Sequence, residues 1–408
     1  MLKRYKIIYQ FIISAILLLE YGEISFAQTD NFNPSLSINS PHQFDNEDLQ
    51  PNGIEFKALA VHDSWANLRG GNYRGVGIIG NLNLKVELDT KKLNWWEGGK
   101  FVLYGLAIYG RRPSLSVGDY QYTSSIDAFD TIEPYQAYYE HKFPNNKGSF
   151  LLGIHDFTTE FSVLSYAVTL INSSFSTPST ITQIPYSFYP YTGLGARVLS
   201  EIDRNFYLLA GAYDGKPTNQ IHSRSIDLGL SSDDGAYLIS ELGYQSKKGE
   251  RNKKIALGAW YNSGIYTDMN GELKRSNAGS YLIGEQQLWQ EQNNSEQGVG
   301  VFAQLGQARS DRNYNPWYFG AGLNYKGLFY ARPKDTLTLA FNLASSSSSY
   351  RAQHANTDKS ERVVEFSYRS QLTKSITITP DLQWVINPGT QKDLDNSLIF
   401  FIRSEVKL

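Results

Sequence analysis

The C-terminal stretch "SLIFFIRSEVKL" (397–408) alternates oil and charge. Leu398, Phe400, Ile402, Val406 and Leu408 share one parity, broken only by Ser404, while Arg403, Glu405 and Lys407 share the other. Successive side chains of a strand point to opposite faces, so this strand has an apolar face and an ionic face. A soluble core would bury the ions, and a solvated tail would expose the apolar side chains. Lipid on one side and water on the other suits both, and a closed β-barrel provides that pair of surroundings. The chain stops here because this strand would close the barrel against the first one.

The same period of two recurs along the chain. In "LTLAFNL" (337–343), Leu337, Leu339, Phe341 and Leu343 alternate with Thr338, Ala340 and Asn342. In "SITITPDLQWVIN" (375–387), Ile376, Ile378, Leu382, Trp384 and Ile386 alternate with polar residues. "NLNLKVEL" (81–88) sets four apolar residues against Asn81, Asn83, Lys85 and Glu87. Read this way, the sequence predicts about 16 strands. They lie near 54–62, 75–88, 100–110, 133–143, 149–155, 192–200, 205–213, 236–245, 254–262, 279–288, 298–306, 318–326, 335–344, 362–372, 375–386 and 396–408.

The connections sort by length. Those after odd strands are mostly long (111–132, 156–191, 214–235, 263–278 and 345–361), whereas 144–148, 201–204 and 373–374 are short. An outer-membrane barrel has short periplasmic turns and longer external loops. The expected fold is therefore an all-β transmembrane antiparallel β-barrel. The longest connection, 156–191, is the third external loop and is expected to fold inward and narrow the channel.

The N-terminus carries an export signal. Lys3, Arg4 and Lys6 precede the apolar run "IIYQFIISAILLL" (7–19), and "SFA" (25–27) supplies small residues for cleavage after Ala27. The predicted organisation is a signal peptide at 1–27, an extended polar segment at 28–50 and the barrel at 51–408. The chain has no cysteine, which excludes a lipoprotein anchor and any disulfide, and fits a Gram-negative envelope. The formal net charge of −2 argues against nucleic acid as a partner.

Motif searches favour no enzyme and no cofactor. "GVGIIG" (75–80) has the spacing of a dinucleotide-binding loop, but a strand pattern follows it where a helix is required. Its glycines are better read as easing the twist of a barrel strand. The histidines have no metal-ligand spacing. His62–Asp63 and His155–Asp156 are neighbours on strands and point to opposite faces, so neither is a ready acid–base pair. The sequence thus predicts no catalytic residue, no metal and no cofactor. Trp95, Trp96, Trp289, Phe329 and Tyr330 fall beside short turns and Trp65, Trp317 and Trp384 near external ends, as an interfacial girdle requires. Trp260 falls on the polar parity, where it would face the lumen and offer a surface to a sugar ring.

Charged residues alternate with apolar neighbours at Arg197, Glu241, Glu285, Glu365, Arg369, Arg403 and Glu405. The opposite face suits lipid, so these side chains are expected to line the lumen and to tune which solutes pass.

Ordered stretches also resemble the carbohydrate-selective porins of the OprB type. They include "WANLRGG" (65–71), "LNLKVELDTKKLNWWEGGKF" (82–101), "GLGARV" (193–198), "LLAGAYDGKP" (208–217), "YLIGEQQLWQ" (281–290), "GVFAQLGQARSDRN" (300–313), "VVEFSYRSQLT" (363–373) and "ITPDLQWVINPG" (378–389). The resemblance implies a sixteen-stranded barrel passing glucose-like monosaccharides by facilitated diffusion. On the matching stretches it points to Arg197, Glu241, Glu285, Glu365 and Arg369 as constriction residues, and parity adds Arg403. The implied partners are monosaccharides and small solutes, outer-membrane lipid, the barrel assembly machinery and other copies in a homotrimer. One departure is the final Leu408, where such barrels commonly carry an aromatic residue. The competing functions are a general or ion-selective porin, a barrel hydrolase and a soluble exported lectin.

Overall fold

A computed structural model describes residues 52–144, 147–183, 187–215, 234–246, 251–291 and 294–407. The segments read as signal peptide and N-terminal extension, and Leu408, lie outside the described residues. Sixteen strands form one closed barrel in which each pairs with its neighbours in sequence and β1 pairs with β16. The first eight are β1 (Ile54–Arg69), β2 (Gly75–Asp89), β3 (Gly99–Gly110), β4 (Thr131–Lys142), β5 (Gly148–His155), β6 (Gly193–Glu201), β7 (Phe206–Asp214) and β8 (Ala236–Gln245). The others are β9 (Lys253–Thr267), β10 (Leu273–Glu291), β11 (Asn294–Ala308), β12 (Trp317–Lys326), β13 (Thr336–Ser345), β14 (Ser360–Gln371), β15 (Ile376–Ile386) and β16 (Ser397–Lys407). The seam is antiparallel, running from Leu59↔Lys407 to Arg69↔Leu398. Among the described residues no helix is long and apolar enough to cross a membrane. Crossing falls to the strands, whose closure leaves no unpaired edge in lipid.

The alternation read in the sequence becomes an inside and an outside. In β8, Tyr237, Ile239 and Glu241 are buried inward, whereas Leu238 and Leu242 are exposed on the outer surface. In β9, Lys254, Ala256 and Trp260 point in, whereas Ile255 and Leu257 point out. The outer face is lined by large apolar side chains because its solvent is hydrocarbon.

Two connections differ from the expected pattern. The loop expected at 263–278 shrinks to 268–272, because β9 and β10 run past the apolar band. That extension is largely polar and is broken by a bulge at Ser276, so its hydrophobic alternation fades and it reads as a loop. The Asp268 carboxylate accepts the Asn270 and Glu272 backbone N–H groups, closing the turn. The first external connection is also short, at 70–74, because β1 continues to Arg69.

The rim aromatics divide. Trp95, Trp96, Trp289, Trp317 and Trp384 are exposed outward. Trp65 is buried, and its indole N–H donates to the Arg111 carbonyl at 2.8 Å. Its ring lies over Gly77, where a Cβ would come within 2.5 Å of it. That contact accounts for a glycine of "GVGIIG" by close packing rather than phosphate binding.

Leu257 lies on the outer face beside Leu242 and Leu282 in register. Leu257→Arg is expected to destabilise the barrel by about 2–4 kcal/mol if it lies near the bilayer midplane. Urea unfolding in lipid vesicles checks this.

Candidate functional site

The third external connection, 156–192, enters the barrel, and most of its described residues are buried. A segment carried into the lumen brings its backbone N–H and C=O groups with it, and each needs a partner. The barrel wall supplies them. The Glu241 carboxylate accepts the Ser162 N–H at 2.8 Å. Glu285 accepts the Tyr166 N–H at 3.1 Å and the Ser165 hydroxyl. Glu365 accepts the N–H groups of Ile171 and Asn172. In the other direction, the Lys254 ammonium donates to the Val163 carbonyl, the Tyr318 hydroxyl to Ser174 and the Gln304 amide to Phe175. These contacts fasten the loop along β8 to β14.

Close packing completes the attachment. Tyr166 lies over Gly300, where a Cβ would fall 2.3 Å from its ring, and Thr180 sits over Gly306 at 2.1 Å. Glycines on β11 thus admit the loop to the wall. Phe157, Phe161, Leu164, Phe175 and Ile181 of the loop share an apolar cluster with Tyr237, Trp260, Tyr281 and Phe302 of the wall. Trp260, expected to present a ring to solute, is 2% exposed within this cluster. It is a packing residue here, because the inward loop covers it.

The second connection, 111–130, also enters the barrel, which the sequence did not indicate. Arg403 is held by Asp63 across the seam at 2.7 and 2.8 Å and donates to the Ser124 and Ser125 hydroxyls. Gln383 donates to the Thr123 carbonyl. Val117 and Ile126 of this loop pack in a cluster that holds Leu59, Val61, Val363, Val385, Ile399 and Phe401 of the wall and Ile171 of the third loop. Ile399 and Phe401 therefore face inward although they are apolar. The inner face of β16 is ionic only in its lower part, at Arg403, Glu405 and Lys407.

Below the loops, toward the short-turn end, lies a row of interleaved ions on β1 to β6. Lys57 lies 3.3 Å from Glu55 and 3.8 Å from Glu87, and Lys85 pairs with Glu87. Lys100 lies 3.3 Å from Glu140. Arg197 lies 3.0 Å from Glu140 and also pairs with Glu160 of the inward loop. The row faces the side to which the loop is fastened. On β14 and β16, Arg369 makes a two-pronged contact with Glu405.

The six residues picked from the sequence thus fall into separate places. Glu241, Glu285 and Glu365 lie along the inward loop as acceptors of its backbone. Arg197 joins the ion row, and Arg403 ties the second loop to the seam. Arg369 is the most open, with its side chain 33% exposed. The sequence reading missed Asp63, Lys57, Glu55, Lys100 and Glu140. Lys85 and Glu87 stood on the polar parity of "NLNLKVEL", and the same test applied to β1 would have found Glu55, Lys57 and Asp63.

The two His–Asp neighbours form no acid–base pair. His155 stacks on Tyr213 and meets its hydroxyl at 3.1 Å. Asp156 instead caps the turn at Thr158 and accepts the Tyr135 hydroxyl. His62 points outward, away from Asp63. Among the described residues no group of three or more His, Asp or Glu side chains is placed to hold a metal ion.

Glu365→Leu is expected to leave the Ile171 and Asn172 N–H groups without their acceptor, at a cost of about 1–3 kcal/mol each. Gly300→Val displaces Tyr166 from the wall. Both variants are expected to give a larger and noisier single-channel conductance, and unchanged conductance in both would rule out the fastening role.

Comparison with known proteins agrees with this architecture. The sequence profile of the carbohydrate-selective porin, OprB family, matches residues 74–408. Porin B of Pseudomonas aeruginosa is 23% identical over 414 residues, covering 87% of this chain and 88% of that protein. The high-pH structure of Pseudomonas putida OprB superposes with a TM-score of 0.80 at 22% identity, covering 88% of this chain and 94% of that one. The outer-membrane channel DcaP of Acinetobacter baumannii gives a TM-score of 0.56 at 11% identity, covering 87% and 97%. A closed sixteen-stranded barrel with a lipid-facing exterior and a profile match over most of its length make this chain an outer-membrane porin that belongs to the carbohydrate-selective OprB family.

Proposed function

We propose that the channel passes uncharged saccharides of monosaccharide size by passive diffusion, and that it selects them at the ion row beneath the inward loops. The observation that carries this reading is the interleaving of charge. Lys57, Lys85, Lys100 and Arg197 each stand against Glu55, Glu87, Glu140 or Glu160. A passing neutral solute therefore meets closely spaced donors and acceptors with little net field. Sugar hydroxyls both donate and accept, so adjacent hydroxyls match such a row. A salt ion meets attraction and repulsion in quick succession.

Paired groups also keep the binding weak. Each ion already has a partner, so a sugar exchanges contacts rather than filling unmet ones. Conduction requires that the solute can leave. The reading involves no covalent step, because His155 and Asp156 are engaged in packing and capping. The names of the relatives, Porin B and OprB, agree with a channel.

The main alternative is a general or ion-selective pore. Liposome swelling separates the two: glucose is expected to enter faster than an amino acid of similar size, and equal rates would sink the sugar reading. Lys100→Glu makes the row net acidic and is expected to raise the cation-over-anion permeability ratio several-fold in bilayer recordings, while slowing glucose entry.

A homotrimer is also proposed. His62 and Ser404 are register partners on the outer face of β1 and β16, next to Ser64. Polar groups facing lipid are unfavourable, and a second copy packed there would cover them. Native mass spectrometry in mild detergent is expected to show three copies, and a single copy would remove this proposal.

A further inference from the structure

Arg362 stands on the wrong face of the wall for a charge. Glu361, Val363 and Glu365 of β14 are buried inward, so Arg362, Val364 and Phe366 point to the lipid side. Register sets Arg362 opposite Leu343 on β13 and Ile386 on β15, which share that outward parity. A cation on a lipid-facing surface is costly and calls for a partner of opposite charge. The protein supplies none: among the described residues Arg362 makes no ion pair, and its one hydrogen bond runs from Nε to the Ser360 hydroxyl at 3.0 Å.

That bond fixes where the charge sits. Ser360 begins β14, on the same face and one step nearer the external loop. The guanidinium is therefore drawn up from the hydrocarbon toward the headgroup level, with both Nη groups unengaged by the described residues. Lys359, just before the strand, is exposed and also makes no ion pair among the described residues. Asp358, the next carboxylate in the chain, pairs with neither cation.

The surroundings are aromatic beside this point and apolar below it. Trp384 on β15 is the diagonal neighbour of Arg362, because Val364 and Trp384 are register partners. Trp317 begins β12, two strands to the other side. Both indoles are exposed on the outer surface, at 48% and 59%. Farther from the external end, Phe366 and Leu382 are register partners and are also exposed outward. Cation, indole and hydrocarbon surface thus follow one another down the wall. That order matches an amphiphile standing upright in the outer leaflet.

We propose that this patch binds an anionic phosphoglycolipid of the outer leaflet. Its phosphate meets the Arg362 guanidinium, with Lys359 adding charge from above. Its sugar headgroup lies along Trp384 and Trp317, and its acyl chains run down over Phe366 and Leu382. Charge complementarity selects this occupant, because the outward cation has no carboxylate of its own and a planar guanidinium can meet two phosphate oxygens at once. The site lies on the outside of the barrel, separate from the channel and its ion row.

Native mass spectrometry of the purified full-length protein in mild detergent tests the site. The probes are bis-phosphorylated lipid A and the same lipid dephosphorylated. Wild type is expected to hold the phosphorylated lipid about tenfold more tightly, the worth of one charge-assisted contact. Arg362→Gln is expected to lose that preference, and Arg362→Lys to retain part of it. Arg309→Gln removes an exposed cation that already pairs with Asp311 and is expected to stay within about twofold of wild type. Gel migration in detergent, heated against unheated, shows that each variant is a folded barrel. A wild type indifferent to the phosphates, or an Arg362→Gln variant within twofold of wild type, would overturn the site. Loss of copies from the assembly with lipid retention unchanged would assign Arg362 to a contact between protomers and overturn it as well.

Discussion

A peptide segment placed inside a barrel must find partners for its own backbone, and this constraint shapes the whole lumen. The wall strands have spent their backbone groups on one another, so an incoming loop is met by wall side chains and by the backbone of the loops themselves, as between Ser125 and Ile171. Carboxylates suit backbone N–H groups, because each oxygen accepts in several directions and the charge strengthens the bond. Glu241, Glu285, Glu361 and Glu365 fill this role at successive points of the two inward loops. Lys254, Gln304, Tyr318 and Gln383 serve the carbonyls. The loops are therefore fixed by the polar groups that a simpler pore would turn toward solute.

The same constraint divides the inner wall into two levels. Where loops cover it, the wall can be apolar, and Leu59, Val61, Ile399 and Phe401 face inward against Val117, Ile126 and Ile171. Where no loop covers it, the wall meets water and carries the paired ions. Glycine marks the closest approaches, as at Gly300 beneath Tyr166 and Gly77 beneath Trp65. Large rings and absent side chains are two halves of one packing solution.

Charge balance links this construction to transport. Breaking a buried ion pair leaves an uncompensated charge and costs about 3–5 kcal/mol, so the Asp63–Arg403 contact holds the seam and the second loop firmly. Within the ion row Arg197 and Glu87 are buried, whereas Lys100 and Glu160 are partly open, so water or a hydroxyl can share the pairs those two make. Fixed pairs at the seam and a row of interleaved pairs nearer the short turns give the lumen two electrostatic levels.

The strand count, the closing role of β16 and the lipid-facing residues were legible in the sequence, because alternation is a local consequence of the pleat. Leu398, Phe400, Ile402 and Val406 face lipid for no reason beyond their parity and polarity. The inward position of Glu241, Glu285 and Glu365 was equally legible. Their engagement with Ser162, Tyr166, Ile171 and Asn172 was not, because those partners sit on a loop far away in sequence. Whether an inward residue meets water or a loop is a non-local fact, so Trp260 and Phe401 were misplaced by any rule that equates the inner face with water. The sequence alone determined a membrane barrel with a charged interior. Only the tertiary structure decided which of those charges hold loops and which pair with one another along the wall, because a hydrogen-bond partner is chosen by proximity in space and parity records only the side of the sheet.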